Sequence, residues 1–108
     1  MEYQVTTQDK FTIIKLTGDV DLHYSPNARK QILKHLGKNE HVLVDLSGVD
    51  YIDSSGVASL VEGYQLAKNN QLEFGLVGAS DAALHVLQLA RLDKIFPMYA
   101  TVNDCIST

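Results

Sequence analysis

The chain has 108 residues, 45% of them hydrophobic and 20% charged, with a formal charge of -4 and no Trp. That length suits one compact domain burying roughly 65% of its unfolded-chain surface, so residues 1–108 read as a single globular domain rather than a disordered segment. Net acidity without a Lys/Arg cluster offers a phosphate backbone little attraction, which argues against direct nucleic-acid binding.

Residues 3–8 alternate weakly in polarity and residues 11–17, FTIIKLT, are rich in β-branched side chains. Both predict strands, joined by a tight turn at Asp9-Lys10, with Gly18 ending the second. Ser25-Pro26 reads as an N-cap followed by proline at the first helical position. Ala28, Ile32, Leu33 and Leu36 continue at helical spacing, and Gly37 marks the stop. Residues 41–46, HVLVDL, form a nearly continuous apolar run, as a strand buried on both faces requires. Val57, Leu60, Val61, Tyr64 and Ala67 trace the next helix, which Asn69-Asn70 would terminate. Residues 72–77 supply another strand. Ser80 or Asp81 can cap the following helix, whose stripe is Ala83, Val86, Leu87 and Ala90, widened by Leu84 and Leu89. KIFPMY adds a short extended piece broken by Pro97, and VNDCIST a last helical turn.

The order β-β-α-β-α-β-α predicts an α/β fold with a single open mixed sheet of about four strands. An antiparallel hairpin opens it, and parallel β-α-β-α-β crossovers follow. Such sheets place functional loops beyond the carboxyl ends of their parallel strands. Residues 18–25, GDVDLHYS, and the predicted loop at 47–54 leave two such ends, so that GDVDLHYS and VDYIDSSG become one candidate surface if their strands are neighbours. Its polar members are Asp19, Asp21, His23 and Tyr24 on one side and Asp53, Ser54, Ser55 and Gly56 on the other.

Much chemistry has no support. There is no GxGxxG or GxxxxGK[ST] loop, no HExxH pair and no GxSxG elbow, so NTP hydrolysis, zinc catalysis and a serine hydrolase are not expected. Neither a metal nor a cofactor is implied. His23, His35, His41 and His85 are scattered. Asp19 and Asp21 sit near a turn, where aspartates hydrogen-bond local backbone more often than they form a general acid–base pair. No apolar run nears the ~20 residues that span a bilayer, and MEYQVTTQDK lacks the basic end and apolar stretch of a secretion signal. A cytoplasmic protein without membrane insertion is expected. Cys105 is the only cysteine, which excludes an internal disulfide and suits a part-buried, inert thiol.

The junction YIDSSGVASLV remains. Asp53, Ser54 or Ser55 can each cap a helix, but capping does not account for a glycine in the first turn, which costs ~1 kcal/mol in propensity. Gly56 would permit close backbone approach and leave the hydroxyls reachable. LVDLSGVDYIDSSGVASLV, LTGDVD and ARLDKIFPMY, in this order, resemble the STAS domain, and specifically bacterial anti-sigma factor antagonists, over nearly the whole chain. The resemblance implies that Ser54, or alternatively Ser55, accepts phosphate and that the protein is not an enzyme. It also implies that the unmodified chain, a monomer exchanging partners, binds an anti-sigma factor that is a serine kinase of histidine-kinase-like ATPase fold. Phosphorylation would release that partner, with the anion received at the helix N-terminus, and a PP2C-type phosphatase would restore binding. Two departures stand out. Ala58 resembles STAS proteins that serve as constitutive adaptors of lipid-transport ABC systems by binding the ATPase, which is the alternative function. Arg91 stands where antagonists frequently carry glycine.

Overall fold

In the computed structural model, which describes residues 2–107, the first two runs form the expected hairpin. β1 (Gln4–Gln8) pairs antiparallel with β2 (Phe11–Val20), and Asp9 supplies the left-handed φ of 55° that the two-residue turn needs. β3 (His41–Ile52), β4 (Phe74–Val77) and β5 (Met98–Tyr99) then add in parallel, giving a five-stranded sheet in the order β1-β2-β3-β4-β5. The fifth strand is the KIFPMY segment. Pro97, which has no N–H of its own, contributes its carbonyl to the Leu76 N–H at 2.9 Å.

The helices are α1 (Ser25–Gly37), α2 (Ser54–Asn69), α3 (Asp81–Leu89) and α4 (Val102–Ile106). Ile14, Leu16, Val42, Val44, Leu46 and Leu76 meet the apolar stripes of α1, α2 and α3 in the main core. The alternate residues Phe11, Ile13, Leu43 and Val77 point to the other face, where α4 covers them with Val102, Cys105 and Ile106. Burial of Val42, Leu43 and Val44 on both sides is what the unbroken apolar run of β3 reports. Leu89 does not widen the α3 stripe, being 73% exposed, whereas Leu84 is half-buried.

Several predicted boundaries move. Gly18 does not end β2: at φ 73° it sits inside the strand beside a register shift, and β2 continues to Val20. Ser25 is not a cap but the buried first residue of α1, its N–H donated to the Asp21 carbonyl at 2.7 Å. Gly37 is the last residue of α1 rather than its stop signal. The reversal comes two residues later at Asn39, φ 62°, where the Glu40 N–H donates to His35 O and the Asn39 N–H to Leu36 O.

That Schellman closure recurs with Gln71 after α2 and Arg91 after α3, where the Leu92 N–H reaches Leu87 O at 2.8 Å and the Arg91 N–H reaches Gln88 O at 3.0 Å. Arg91, at φ 60°, carries a β-carbon in a conformation that only glycine adopts freely. Arg91→Gly should therefore stabilise the protein by roughly 0.5–1 kcal/mol, after glycine's entropic cost is subtracted. Urea unfolding of the two proteins measures it; an unchanged or lower midpoint would contradict the strain argument.

Candidate functional site

The predicted loop at 47–54 is largely strand. β3 runs on to Ile52 through two register shifts against β2, between Lys15 and Thr17 and between Gly18 and Asp19, each absorbing an extra β3 residue. Beyond them Asp19 pairs with Tyr51 and Val20 with Ile52, so the two candidate stretches do leave the sheet side by side. The Asp53 N–H continues the pairing to Val20 O at 3.4 Å.

Asp53 is the cap of α2. Its Oδ1 accepts the Ser55 N–H at 2.9 Å, the Gly56 N–H at 3.2 Å and the Ser55 hydroxyl at 2.5 Å. Its Oδ2 accepts the Leu22 N–H at 3.1 Å, which ties the β2–α1 loop to the start of α2. The Ser55 hydroxyl and then these backbone donors hold the Asp53 carboxyl below the ordinary aspartate value of about 3.8, against the opposing effect of partial burial. A depressed folded-state value means that the stabilisation is full above the unfolded value and disappears as pH falls through the lower, folded one. Wild type should therefore lose urea stability on acidification from pH 7 toward pH 3 more steeply than Asp53→Asn does. Identical acid limbs would show that these hydrogen bonds do not favour the ionised form.

The same contacts separate the two serines. Ser55 is half-buried with its hydroxyl on Asp53, whereas Ser54, the first residue of α2, is exposed, and among the described residues no protein group holds its hydroxyl. Gly56 is buried because α2 starts in contact with the sheet: a β-carbon there would lie 2.5 Å from Val20 O and 2.6 Å from Ile52 Cγ1. Ser54 also stands at one end of an open groove between α2 and α3, lined by Val57, Ala58, Val61, Val86 and Leu89.

Asp21 serves the loop itself, its carboxylate accepting the His23 N–H at 3.0 Å and the Tyr24 N–H at 3.1 Å. Asp19 is exposed on β2 and borders a hollow with Tyr24 and Asp50. The His23 and Tyr24 rings meet edge to face, centroids 4.7 Å apart. Sequence reasoning missed Leu22 and Tyr51, which are 76% and 52% exposed and share a shallow hollow with Asp21, His23 and Asp53. Their signal was a large apolar residue directly after an aspartate, in DVDL and VDYID. Among the described residues no three His, Cys, Asp or Glu side chains converge as metal ligands would, and no helix is long and apolar enough to cross a membrane. Burial pushes the half-buried Cys105 thiol up, which leaves it protonated and unreactive at neutral pH.

Residues 2–105 match the STAS domain family, and the chain belongs to it. It is 27% identical over 89 residues to the anti-sigma F factor antagonist of Paenibacillus polymyxa, covering 81% of this chain and 76% of that one. It is 27% identical over 97 residues to the anti-sigma-B factor antagonist of Staphylococcus aureus strain NCTC 8325, covering 88% and 89%. The crystal structure of an anti-sigma factor antagonist from Mycobacterium paratuberculosis superposes with a TM-score of 0.85 at 25% identity, over 97% of this chain and 90% of the other.

Proposed function

We propose that this STAS protein is an anti-sigma factor antagonist that works as a partner switch, with Ser54 as the phosphoacceptor. Unmodified, it binds an anti-sigma factor that is also a serine kinase of histidine-kinase-like ATPase fold. The kinase supplies the ATP and transfers the γ-phosphoryl group to the Ser54 oxygen, releasing ADP and the hydroxyl proton. A PP2C-type phosphatase hydrolyses the ester and restores binding. The chain itself performs no catalysis in this cycle.

The observation that carries this reading is the exposure of Ser54 beside an Asp53 whose carboxylate already holds the Ser55 and Gly56 N–H groups. Phosphoserine brings about -1.5 to -2 charges at pH 7. Sequence reasoning offered the helix N-terminus as its receptor, but Asp53 already holds the Ser55 and Gly56 N–H groups there and adds a like charge next to the ester. Arg29, which borders the same hollow as Ser55, is engaged by Glu62 through two hydrogen bonds of 2.8 and 2.7 Å. The phosphate therefore projects into solvent, hydrated and unneutralised, where a docking partner must strip its water. Loss of even ~3 kcal/mol weakens binding more than a hundredfold.

The direct test is incubation with the purified anti-sigma kinase of the source genome and ATP, followed by mass-spectrometric mapping. Phosphate on Ser54 is expected. An active kinase that modifies only Ser55, or neither serine, would refute the assignment.

A further inference from the structure

Four aspartates, Asp19, Asp21, Asp50 and Asp53, lie on the two stretches that meet at the carboxyl ends of β2 and β3. No Lys or Arg occurs between residues 16 and 28 or between residues 39 and 67. Residues 18–25 and 49–56 therefore carry four carboxylates and no Lys or Arg, a local formal charge of -4. Within that acidic field stand Leu22, 76% exposed, and Tyr51, 52% exposed, both lining one shallow hollow. Neither exposure is an accident of a loose loop. The Leu22 N–H is tethered to Asp53 Oδ2, Asp21 fixes the two residues that follow, and Tyr51 is held in β3 by its register with Asp19.

A pair of apolar side chains held rigidly outward and ringed by one sign of charge is an arrangement for protein recognition, since a large apolar group in a desolvated pocket anchors an interface and rim charges steer its approach. The geometry points to Leu22 and Tyr51 as the anchors of the docking surface, and to a partner that offers an apolar pocket bordered by Arg or Lys side chains. This inference rests on the partner-switch reading, and it adds to Ser54 which residues hold the partner and what chemistry receives them. The two parts differ in role. Asp21 and Asp53 shape the backbone of the site, whereas Asp19 and Asp50 are exposed and can act through charge.

The test uses the full chain and the purified anti-sigma kinases of the source genome, each titrated by calorimetry against unphosphorylated wild type and, where it binds, against variants. Leu22→Ala and Tyr51→Ala should each weaken binding about thirtyfold or more, with unfolding midpoints unchanged, whereas Ile95→Ala, a comparably exposed apolar residue, should bind within about twofold of wild type. Asp19→Asn combined with Asp50→Asn should weaken binding and flatten its dependence on salt. Wild-type binding that survives both anchor substitutions within twofold, or a salt dependence indifferent to the aspartates, would overturn the inference while leaving the switch intact. Absence of wild-type binding to every such kinase would overturn the switch reading and this inference together.

Discussion

Ser54→Ala should bind the anti-sigma partner within about threefold of wild type, and Ser54→Asp should bind it at least roughly thirtyfold more weakly, about 2 kcal/mol. The hydroxyl is exposed and unengaged, so its removal takes no contact from the fold. A carboxylate in its place stands beside Asp53, which already holds the Ser55 and Gly56 N–H groups, and must be desolvated when the partner docks. The substitution should leave stability nearly unchanged, because a negative side chain in the first turn of a helix is favoured by the helix dipole and disfavoured by Asp53. Calorimetric titration with urea unfolding of the same samples separates the two effects. Equal affinities for the Ala and Asp variants would contradict the charge argument, and a large stability loss in Ser54→Asp would replace it with one of misfolding.

Gly56→Ala should destabilise the protein by about 2 kcal/mol, even though alanine is worth ~1 kcal/mol more than glycine inside a helix. The added methyl would fall on the Val20 carbonyl and on Ile52, both fixed by the β2–β3 pairing, and neither is the free end of a flexible side chain. Relief requires α2 to lift from the sheet at the point where Asp53 also holds Leu22. A fall in the thermal midpoint of roughly 10 °C follows for a domain of this size. Partner binding should weaken in the fraction that remains folded. A variant as stable as wild type would show that the start of α2 yields easily, and the site would then be less rigid than described.

Much of the architecture was legible because buried strands and amphipathic helices print their periods in the chain. The apolar run of β3 and the stripes of α1 and α2 needed no further information. Boundaries were not legible where a signal has two meanings. Gly18 looks like a strand end but sits at an irregularity within β2, and the residues after Leu46 lack strict alternation because two register shifts interrupt it. Gly37 drew attention from Asn39, which carries the left-handed turn by means of a residue type that tolerates it.

The candidate site divides the same way. The Asp-Ser-Ser-Gly junction announced a cap and a close approach, but three residues competed for the cap, and only the distances of Asp53 to Ser55, Gly56 and Leu22 decide among them. The tether from Asp53 to Leu22 spans 31 residues and has no local signature. Leu22 and Tyr51 read as ordinary apolar residues until the fold left them outside.

The most direct measurement is made on the chain carrying one phosphate on Ser54, prepared with the kinase and verified by mass spectrometry. Its amide spectrum and its affinity for the anti-sigma kinase are compared with those of the unmodified protein. Shifts confined to the start of α2 and the β2–α1 loop, together with an affinity reduced more than a hundredfold, are predicted. Undiminished affinity would contradict the account, as would spectral change spread through the sheet, which would mean that phosphate acts by remodelling the fold rather than by guarding its surface.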